Sequence, residues 1–372
     1  MTIAPATAGY SALGHAAGRS YRFAILALLA VVLLGTAALS TFALRSSRSA
    51  AVSEPIQLVA GQGPNRCDFD YPGPLRLQDL GCLDEVLPFK SAVYLSKVGK
   101  DAVHDIRGIR VPGVPPIPIF IQFKDRITYL LEFIRSLHRV IQTPFEIIII
   151  DDSSTFPAAV NFLNRLNDSG VTILHPAARA PDAPFDLIYK DVAKLITAHM
   201  NTTEAANFIW TDPDVPLDGD GPGDILVVYA EALRQHGELY NVGCSLRWDN
   251  WLEEIRDGKI ENEKHWVKAP VHCLEYRQVC YHYLEAPIDT TFAMFRKGVT
   301  LKRLSSPSIR MIAPLGCRHL DWIIPKESIP ADVKYYASKT TNEVNHSWFR
   351  NPPKKNGRRE IADGAPPTQL TA

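Results

Sequence analysis

The stretch IPIFIQFKDRITYLLEFIRSLHRVIQTPFEIIIIDD, residues 117–152, decides the fold prediction. Residues 117–123 are mostly β-branched and aromatic, which predicts a strand. Residues 126–141 repeat apolar side chains every three or four positions, which predicts a helix with one buried face. Residues 145–151 form a continuous apolar run, as expected of a parallel strand that is covered on both faces. The stretch therefore predicts a strand–helix–strand unit with a right-handed crossover.

The same alternation continues to residue 210. A short helix that ends at Gly170 is followed by a strand (171–175), a strongly periodic helix (185–200) and a fourth strand (207–210). This repetition predicts an α/β fold with a mostly parallel, Rossmann-like sheet that is flanked by helices. Ligands of such sheets bind beyond the carboxyl ends of the strands, so functional residues are expected there.

Beyond residue 222 the pattern is less regular. We predict a helix over 223–237 and strands over 240–248 and 288–297. Residues 247–283 are rich in Trp, His, Tyr and charged side chains, and no regular element is predicted for them.

The charge of the chain restricts its partners. Lys and Arg together number 40, and Asp and Glu together also number 40, so the formal net charge is zero. No strong basic field is available to gather nucleic acid, which we therefore do not expect as a partner. A polyanion would have to be held locally, by a metal ion or by a few basic groups.

An uncharged apolar segment, residues 23–44, lies near the N-terminus. In a helix it would span roughly 30 Å, the thickness of a bilayer core, so we predict one transmembrane anchor. A cleavable signal peptide is the alternative, because small residues lie near the end of the segment. The predicted organisation is a tail (1–22), the anchor, a stem and lead-in segment (45–112), a main domain (113–350) and a disordered tail (351–372).

The six cysteines of the chain are Cys67, Cys82, Cys244, Cys273, Cys280 and Cys317. They form no C-x-x-C pair, which disfavours a zinc site or a thioredoxin-type site. Disulfides in an oxidising compartment and buried free thiols both stay open as interpretations.

Two aspartates, Asp212 and Asp214, follow the fourth strand in NFIWTDPDVPL (207–217). Two carboxylates this close repel each other unless a cation or hydrogen bonds offset the repulsion. A hard divalent cation such as Mg²⁺ or Mn²⁺ prefers oxygen ligands and would do so. The alternative is a solvated acidic turn, which the further acidic residues within 218–224 would suit.

The segments IPIFIQFKDRITYLLEFIRSL, IIIIDDSST and FIWTDPDVPL, in this order and spacing, resemble the GT-A fold glycosyltransferases of the broad family-2-like kind. The resemblance covers residues 115–325. It implies a GT-A fold and a catalytic domain over 113–350. It also implies transfer of a sugar from a UDP- or GDP-sugar with the help of Mn²⁺ or Mg²⁺.

The resemblance assigns expected roles on the nucleotide side of the site. Gln122 and Asp125 would lie near the nucleoside, and Asp151 or Asp152 would contact its base or ribose. Asp212 would face both the ribose and the metal ion.

On the metal side, the resemblance makes Asp214 a direct ligand, with Asp212 beside it and His319 returning to the metal or the diphosphate. Asp321 would orient His319, or else cap a turn. Asp289 is the candidate general base for the acceptor hydroxyl. Its rivals are glutamates at 275 and 285, and the Glu-Asp pair that often marks this base in inverting relatives is missing.

The leading hypothesis is a membrane-anchored, metal-dependent glycosyltransferase that acts on a hydroxyl of a glycan, protein or lipid. One alternative is a catalytically silent carbohydrate-binding or scaffold protein on the same fold. Another is a nucleotidyltransferase, which usually has a Gly-rich loop after its first strand, and FIQFKDRITYL has none. The anchor predicts a single-pass, type II protein, on the lumenal face of the Golgi in a eukaryote or at the cytoplasmic membrane in a bacterium.

Overall fold

The computed structural model describes residues 102–177, 185–217, 224–247, 249, 251–252, 270–288, 291–302, 304 and 306–339. The predicted anchor, most of the stem and the C-terminal tail lie outside these residues. Within the described ranges, no helix is long and apolar enough to cross a membrane. The anchor and the domain boundaries therefore stay predictions.

Five α-helices and eleven strands make up the described part of the chain. The helices are α1 Ile127–Val140, α2 Pro157–Asp168, α3 Phe185–Met200, α4 Ile225–Gln235 and α5 Ala331–Lys339. The strands are β1 Val103–Asp105, β2 Gly108–Arg110, β3 Ile117–Phe123, β4 Phe145–Asp151, β5 Thr172–Leu174, β6 Asn207–Thr211, β7 Asn241–Cys244, β8 Val271–Tyr276, β9 Val279–Glu285, β10 Ala293–Arg296 and β11 Ser308–Met311.

Strands β3 to β6 form the parallel half of the sheet that the sequence predicts. Their spatial order is β5–β4–β3–β6, and every pairing among them is parallel. The predicted helices and strands of this half are confirmed, with bounds that differ by one or two residues. The strand order reverses direction at β3, so β3 and β6 flank a topological switch point.

The alternating side chains of these strands divide the core into two layers. Ile119 and Ile121 of β3 pack in the cluster that contains the buried face of α1. Phe120, which points to the opposite face, packs in a second cluster with Val192 and Ile196 of α3. The parallel strands are therefore covered on both faces, which explains their continuous apolar sequence.

The expectation of a mostly parallel sheet is wrong, because the whole sheet is mixed. Its order is β1–β2–β4–β3–β6–β10–β7–β11–β9–β8, with β5 beside β4. Strand β10 enters antiparallel between β6 and β7, and β11 pairs parallel with β7 and antiparallel with β9. Antiparallel strands need no helical crossover, so among the described residues the alternation of strands and helices ends after β7.

The hairpin β8–β9 lies within the region for which no regular element is predicted. Its two-residue turn is formed by Arg277 and Gln278, both of which have positive φ, 49° and 66°. Such turns normally carry Asn-Gly or Asp-Gly, and Arg-Gln is not a recognisable turn signal. The hairpin also lies at the edge of the sheet, where several side chains on each strand are exposed.

Residues that the sequence assigns to the lead-in segment extend the sheet at its other edge. Strand β2 pairs antiparallel with β4, with Gly108 opposite Glu146 and Ile109 opposite Phe145. Gly108 has φ +134°, and a Cβ at this position would lie 2.1 Å from the Phe145 carbonyl oxygen. Only glycine permits this close approach of the two backbones.

Two disulfides connect described cysteines, Cys244–Cys317 and Cys273–Cys280. The first joins the end of β7 to the segment that leads to His319. The second crosses the β8–β9 hairpin. The other two cysteines lie outside the described residues.

Candidate metal centre

The carboxyl ends of β3, β4 and β6 meet at one edge of the sheet because the three strands are parallel and in close register. Phe123 of β3 pairs with Asp151 of β4, and Ile121 of β3 pairs with Thr211 of β6. The polar residues that follow these strands are thereby brought to the same region. This is the edge at which the sequence predicts a ligand.

Backbone hydrogen bonds bring the end of β6 against a distant segment. The amide of Leu320 donates to the carbonyl of Asp214 at 2.8 Å, and the amide of Arg318 donates to Pro216 at 3.0 Å. A bridge between Leu217 and Cys317 continues this antiparallel pairing. The pairing places the two side chains that flank Leu320 in the sequence beside Asp214.

Asp214, His319 and Asp321 form a group that could hold a metal ion. Each offers one ligand atom, and these atoms lie within 4.8 Å of one another. The Nε2 atom of His319 is 4.0 Å from Oδ2 of Asp214, and both aspartates are buried. Opposite ligands of Mg²⁺ lie about 4.2 Å apart, given bonds of about 2.1 Å, so only a small movement of the side chains is needed.

The donor set of this group suits the cations that the sequence predicts. Two carboxylates and one imidazole are acceptable ligands for Mn²⁺, and the carboxylates also suit Mg²⁺. Asp321, predicted to orient His319, is itself one of the grouped side chains, whereas Asp212 is not. Asp212 is half-buried at the end of β6.

The guanidinium of Arg126 neutralises this group in part. Its Nη1 atom donates to Oδ2 of Asp214 at 2.6 Å and lies 3.6 Å from Oδ2 of Asp321. Arg126 immediately precedes α1, at the end of β3. It therefore reaches the carboxylates from the neighbouring strand.

The two carboxylates titrate differently because of their surroundings. Burial alone would raise the pKa of Asp214, but the nearby Arg126 and His319 lower it below the usual value. Burial raises the pKa of Asp321, and the charge of Asp214 raises it further. Asp214 is consequently the firmly ionised member of the pair, and a bound divalent cation would favour ionisation of both.

Aromatic rings enclose the charged groups. The Trp322 indole stacks on the His319 imidazole, with centroids 4.1 Å apart and planes 5° apart, and Trp251 packs edge-on against Trp322. On the other side, the guanidinium of Arg126 lies 4.8 Å from the centre of the Tyr336 ring. The stacking on Trp322 restricts the orientation of the imidazole.

Asp125, predicted to lie near a nucleoside, holds the loop that follows β4. Its Oδ1 atom accepts hydrogen bonds from the amides of Thr155 and Phe156 at 2.6 and 2.7 Å. Its own amide donates to the hydroxyl of Ser154 at 2.9 Å. Asp125 is completely buried and has φ +56°. Its hydrogen bonds to the loop after β4 therefore shape the edge of the site.

Asp151 and Asp152 end β4 in different environments. Oδ1 of Asp151 accepts hydrogen bonds from the Ser154 amide and hydroxyl at 3.1 and 2.5 Å, and burial raises the pKa of this carboxyl despite these bonds. Asp152 is half-buried and lies 3.9 Å from the ammonium of Lys124. Gln122, one residue before the end of β3, is also half-buried.

Among the residues that the structure describes, no candidate base lies at this edge. Asp289 lies outside them. Glu275 and Glu285 are exposed on β8 and β9, at the far end of the strand order from β3 and β6. The sequence-based choice of Asp289 therefore stays a prediction, and its rivals are distant in the sheet.

Sequence reasoning missed several residues of the centre. Arg126 had a usable signal, because it follows Asp125 directly in the short segment between the predicted strand 117–123 and the helix after it. The stacking of Trp322 on His319 had a weaker signal, the short spacing in RHLDW. Tyr336 had none, since it approaches Arg126 from α5, far along the chain.

Comparisons with known proteins give a fold likeness only. No family model matches the sequence, and no curated protein matches it. Similar solved structures include a mannosyltransferase from Pyrobaculum calidifontis in complex with GDP-Man and Mn²⁺, at 12% identity and TM-score 0.33, which covers 67% of this chain and 65% of that chain. Another is TarS 1–349 from S. aureus, at 11% identity and TM-score 0.33, which covers 60% of this chain and 65% of that chain.

A third is glucosyl-3-phosphoglycerate synthase from Mycobacterium tuberculosis in complex with UDP, at 11% identity and TM-score 0.28, which covers 49% of this chain and 57% of that chain. The chain thus spans less than two thirds of each of these three proteins. At such scores we draw no functional conclusion from the likeness.

Proposed function

We propose that this protein is a GT-A glycosyltransferase that uses Mn²⁺ or Mg²⁺ to transfer a sugar from a nucleotide-sugar donor to a hydroxyl group. The observation that carries the proposal is the meeting of Asp214, His319 and Asp321 at the carboxyl end of β6. That position lies at the switch point of a doubly wound sheet, where nucleotides bind. The order of the sequence motifs supports the same class.

The proposed reaction breaks the bond between the anomeric carbon of the sugar and the diphosphate oxygen. A new bond forms from that carbon to the acceptor oxygen, and the diphosphate leaves with the bonding electron pair. The acceptor hydroxyl gives its proton to a base, for which Asp289 is the candidate. When bound, the divalent cation supplies positive charge to the departing diphosphate.

The residues of this chain have separate tasks in the proposal. Asp214, His319 and Asp321 hold the cation, and Trp322 keeps the imidazole of His319 in position. The polar end of β4, with Asp151 and its neighbours, faces the nucleoside. Because the protein has no net charge, attraction of the diphosphate depends on these local groups.

The membrane arrangement is part of the proposal. Residues 23–44 would anchor the protein as a single-pass, type II membrane protein with the catalytic domain on one side. That side would be the Golgi lumen in a eukaryote and the cytoplasmic face of the membrane in a bacterium. The acceptor would be a hydroxyl of a glycan, protein or lipid.

Calorimetry with nucleoside diphosphates tests the metal centre. We expect UDP or GDP to bind the purified protein with Mn²⁺ present and to bind at least tenfold more weakly without it. Asp214→Asn should abolish the effect of Mn²⁺, because it removes the ionised ligand. Asp168→Asn, at an exposed position of α2, is the matched control and should behave as the unmodified protein does.

Product analysis then separates the proposed reaction from its alternatives. GDP-mannose and UDP-glucose are the first donors to test, with and without added hydroxyl acceptors. Release of GDP or UDP supports glycosyl transfer, whereas release of pyrophosphate indicates a nucleotidyltransferase. Binding without any product, across a broad set of donors and acceptors, indicates a catalytically silent protein. Equal Mn²⁺ dependence in the Asp214→Asn variant would remove the basis of the proposal.

A further inference from the structure

Arg126 and a metal ion would compete for the same carboxylate oxygen. Oδ2 of Asp214 accepts the 2.6 Å hydrogen bond from Arg126, and the same atom lies 4.0 Å from the Nε2 atom of His319. The guanidinium also lies 3.6 Å from Oδ2 of Asp321. It therefore already occupies part of the space between the grouped ligands.

The electrostatics oppose the presence of two cations in this space. The Arg126 side chain is only 12% exposed and both aspartate side chains are still more buried, so solvent screens their interactions weakly. The guanidinium of arginine stays protonated in proteins. Arg126 thus keeps its charge, and a divalent cation must displace it from Asp214.

The way Arg126 is held allows that displacement. The described residues give its guanidinium one short carboxylate contact, and its buried Nε atom has no hydrogen-bond partner among them. The rings of Tyr336 and Tyr129, at 4.8 and 5.6 Å, flank it without fixing its direction. A guanidinium with unused N–H groups suits a phosphate, which it can bind through two parallel hydrogen bonds.

We propose that Arg126 is a positioning residue that neutralises Asp214 and Asp321 in the absence of a cation and moves to the diphosphate when the donor binds. Mn²⁺ alone then binds weakly, because it must expel the guanidinium from Asp214 and Asp321. A diphosphate gives the guanidinium a new anionic partner and frees Asp214. The two ligands consequently strengthen each other's binding, and by linkage the coupling is reciprocal. This inference rests on the proposed function.

Titration of Mn²⁺, followed by the loss of the electron paramagnetic resonance signal of the free ion, tests the inference without an activity assay. In the unmodified protein we expect weak binding of Mn²⁺ alone and tighter binding with saturating UDP or GDP. Arg126→Met removes the charge and should bind Mn²⁺ alone at least tenfold more tightly. The gain from added nucleoside diphosphate should shrink by a similar factor.

Three further variants complete the experiment. Arg126→Gln removes the charge but keeps a donor for Asp214, and it replaces Arg126→Met if that variant does not fold. Arg126→Lys keeps a cation and should bind Mn²⁺ alone as weakly as the unmodified protein does. Arg234→Met is the matched control, since Arg234 pairs with Glu231 on the exposed side of α4, and it should change nothing.

Asp214→Asn in the same titration separates the two proposals. If it loses Mn²⁺ binding while Arg126→Met and Arg126→Gln bind Mn²⁺ no more tightly than the unmodified protein, the role of Arg126 is overturned and the metal centre stands. If no variant binds Mn²⁺, with or without nucleotide, both proposals are overturned. Tighter binding in the neutral variants, abolished by the additional Asp214→Asn change, supports both.

Discussion

Asp332 connects the last described helix to the first one, and its removal should destabilise the protein measurably. Oδ2 of Asp332 accepts a hydrogen bond from the Thr128 amide at 2.7 Å, and Oδ1 accepts one from the Thr128 hydroxyl at 3.0 Å. Thr128 lies in the first turn of α1, where the amides have no partner within the helix. Asp332 therefore caps α1 from a distant part of the chain.

The magnitude follows from two opposing contributions. Hydrogen bonds to a charged group contribute about 1.5–3 kcal/mol each, and a carboxylate near a helix N-terminus gains up to about 1 kcal/mol more. Burial nevertheless raises the pKa of Asp332, so desolvation outweighs these bonds for the ionised carboxylate, and the cost of removing it comes mainly from the buried Thr128 donors that lose their acceptor. We expect Asp332→Ala to lower the free energy of unfolding by about 2–3 kcal/mol.

Urea unfolding followed by tryptophan fluorescence measures this effect. Asp332→Asn keeps an oxygen acceptor for the amide and should cost about half as much as Asp332→Ala. Thr128→Val removes only the hydroxyl donor and should cost about 1 kcal/mol. A loss below about 0.5 kcal/mol for Asp332→Ala would refute the capping role. So would equal losses for Asp332→Asn and Asp332→Ala, because the retained acceptor would then contribute nothing.

Three other predictions concern stability and the metal centre. Burial lowers the pKa of His138 from 6.5 to about 4, so the unfolded state binds its proton more readily. The free energy of unfolding should therefore fall by about 3 kcal/mol as pH falls from 6.5 to 4, and His138→Leu should remove this loss in urea titrations across pH. Replacing Cys244 and Cys317 by serine should cost about 2–4 kcal/mol, measured by the same titration. Trp322→Leu should weaken Mn²⁺ binding about tenfold in calorimetry, because it releases His319. Trp322→Phe keeps an aromatic ring beside His319 and should retain most of the Mn²⁺ affinity of the unmodified protein.

The half of the fold that the sequence predicts well is the half that is governed by local patterns. Helix α1 repeats its apolar residues with helical period, and β4 contains four consecutive isoleucines, 147–150, as expected of a strand that is covered on both faces. Both signals lie within one element. Right-handed crossovers limit the possible arrangements, but the spatial order of the strands is not predicted from the sequence.

The antiparallel half depends on contacts that no short segment reports. Strand β10 is inserted between β6 and β7 although it follows both in the chain. The β8–β9 hairpin turns at Arg277 and Gln278, residues that seldom adopt positive φ. Sequence patterns specify period and turn chemistry, and here the tertiary contacts overrode the turn chemistry.

In the candidate site, too, some residues are predictable from local sequence patterns and others depend on long-range contacts. Asp214 could be placed at a strand end from the sequence, because the apolar run of β6 stops just before it. Asp212 is predicted as a ligand from the D-x-D pattern and stays a prediction, whereas the group that could hold a metal contains Asp321. Asp321 reaches Asp214 through the backbone pairing of Leu320 with Asp214, which joins segments about a hundred residues apart.

Arg126 explains how two carboxylates can lie buried together when no metal ion is bound. Without a cation, burial of Asp214 and Asp321 would cost several kcal/mol, because each would be desolvated beside a like charge. The guanidinium offsets this cost in the folded protein, and the lowered pKa of Asp214 records that compensation. The same contact must weaken the affinity for a divalent cation, since the ion and Arg126 cannot both neutralise Oδ2 of Asp214. Loss of the Arg126 charge should therefore destabilise the metal-free protein by more than it destabilises the Mn²⁺-bound protein.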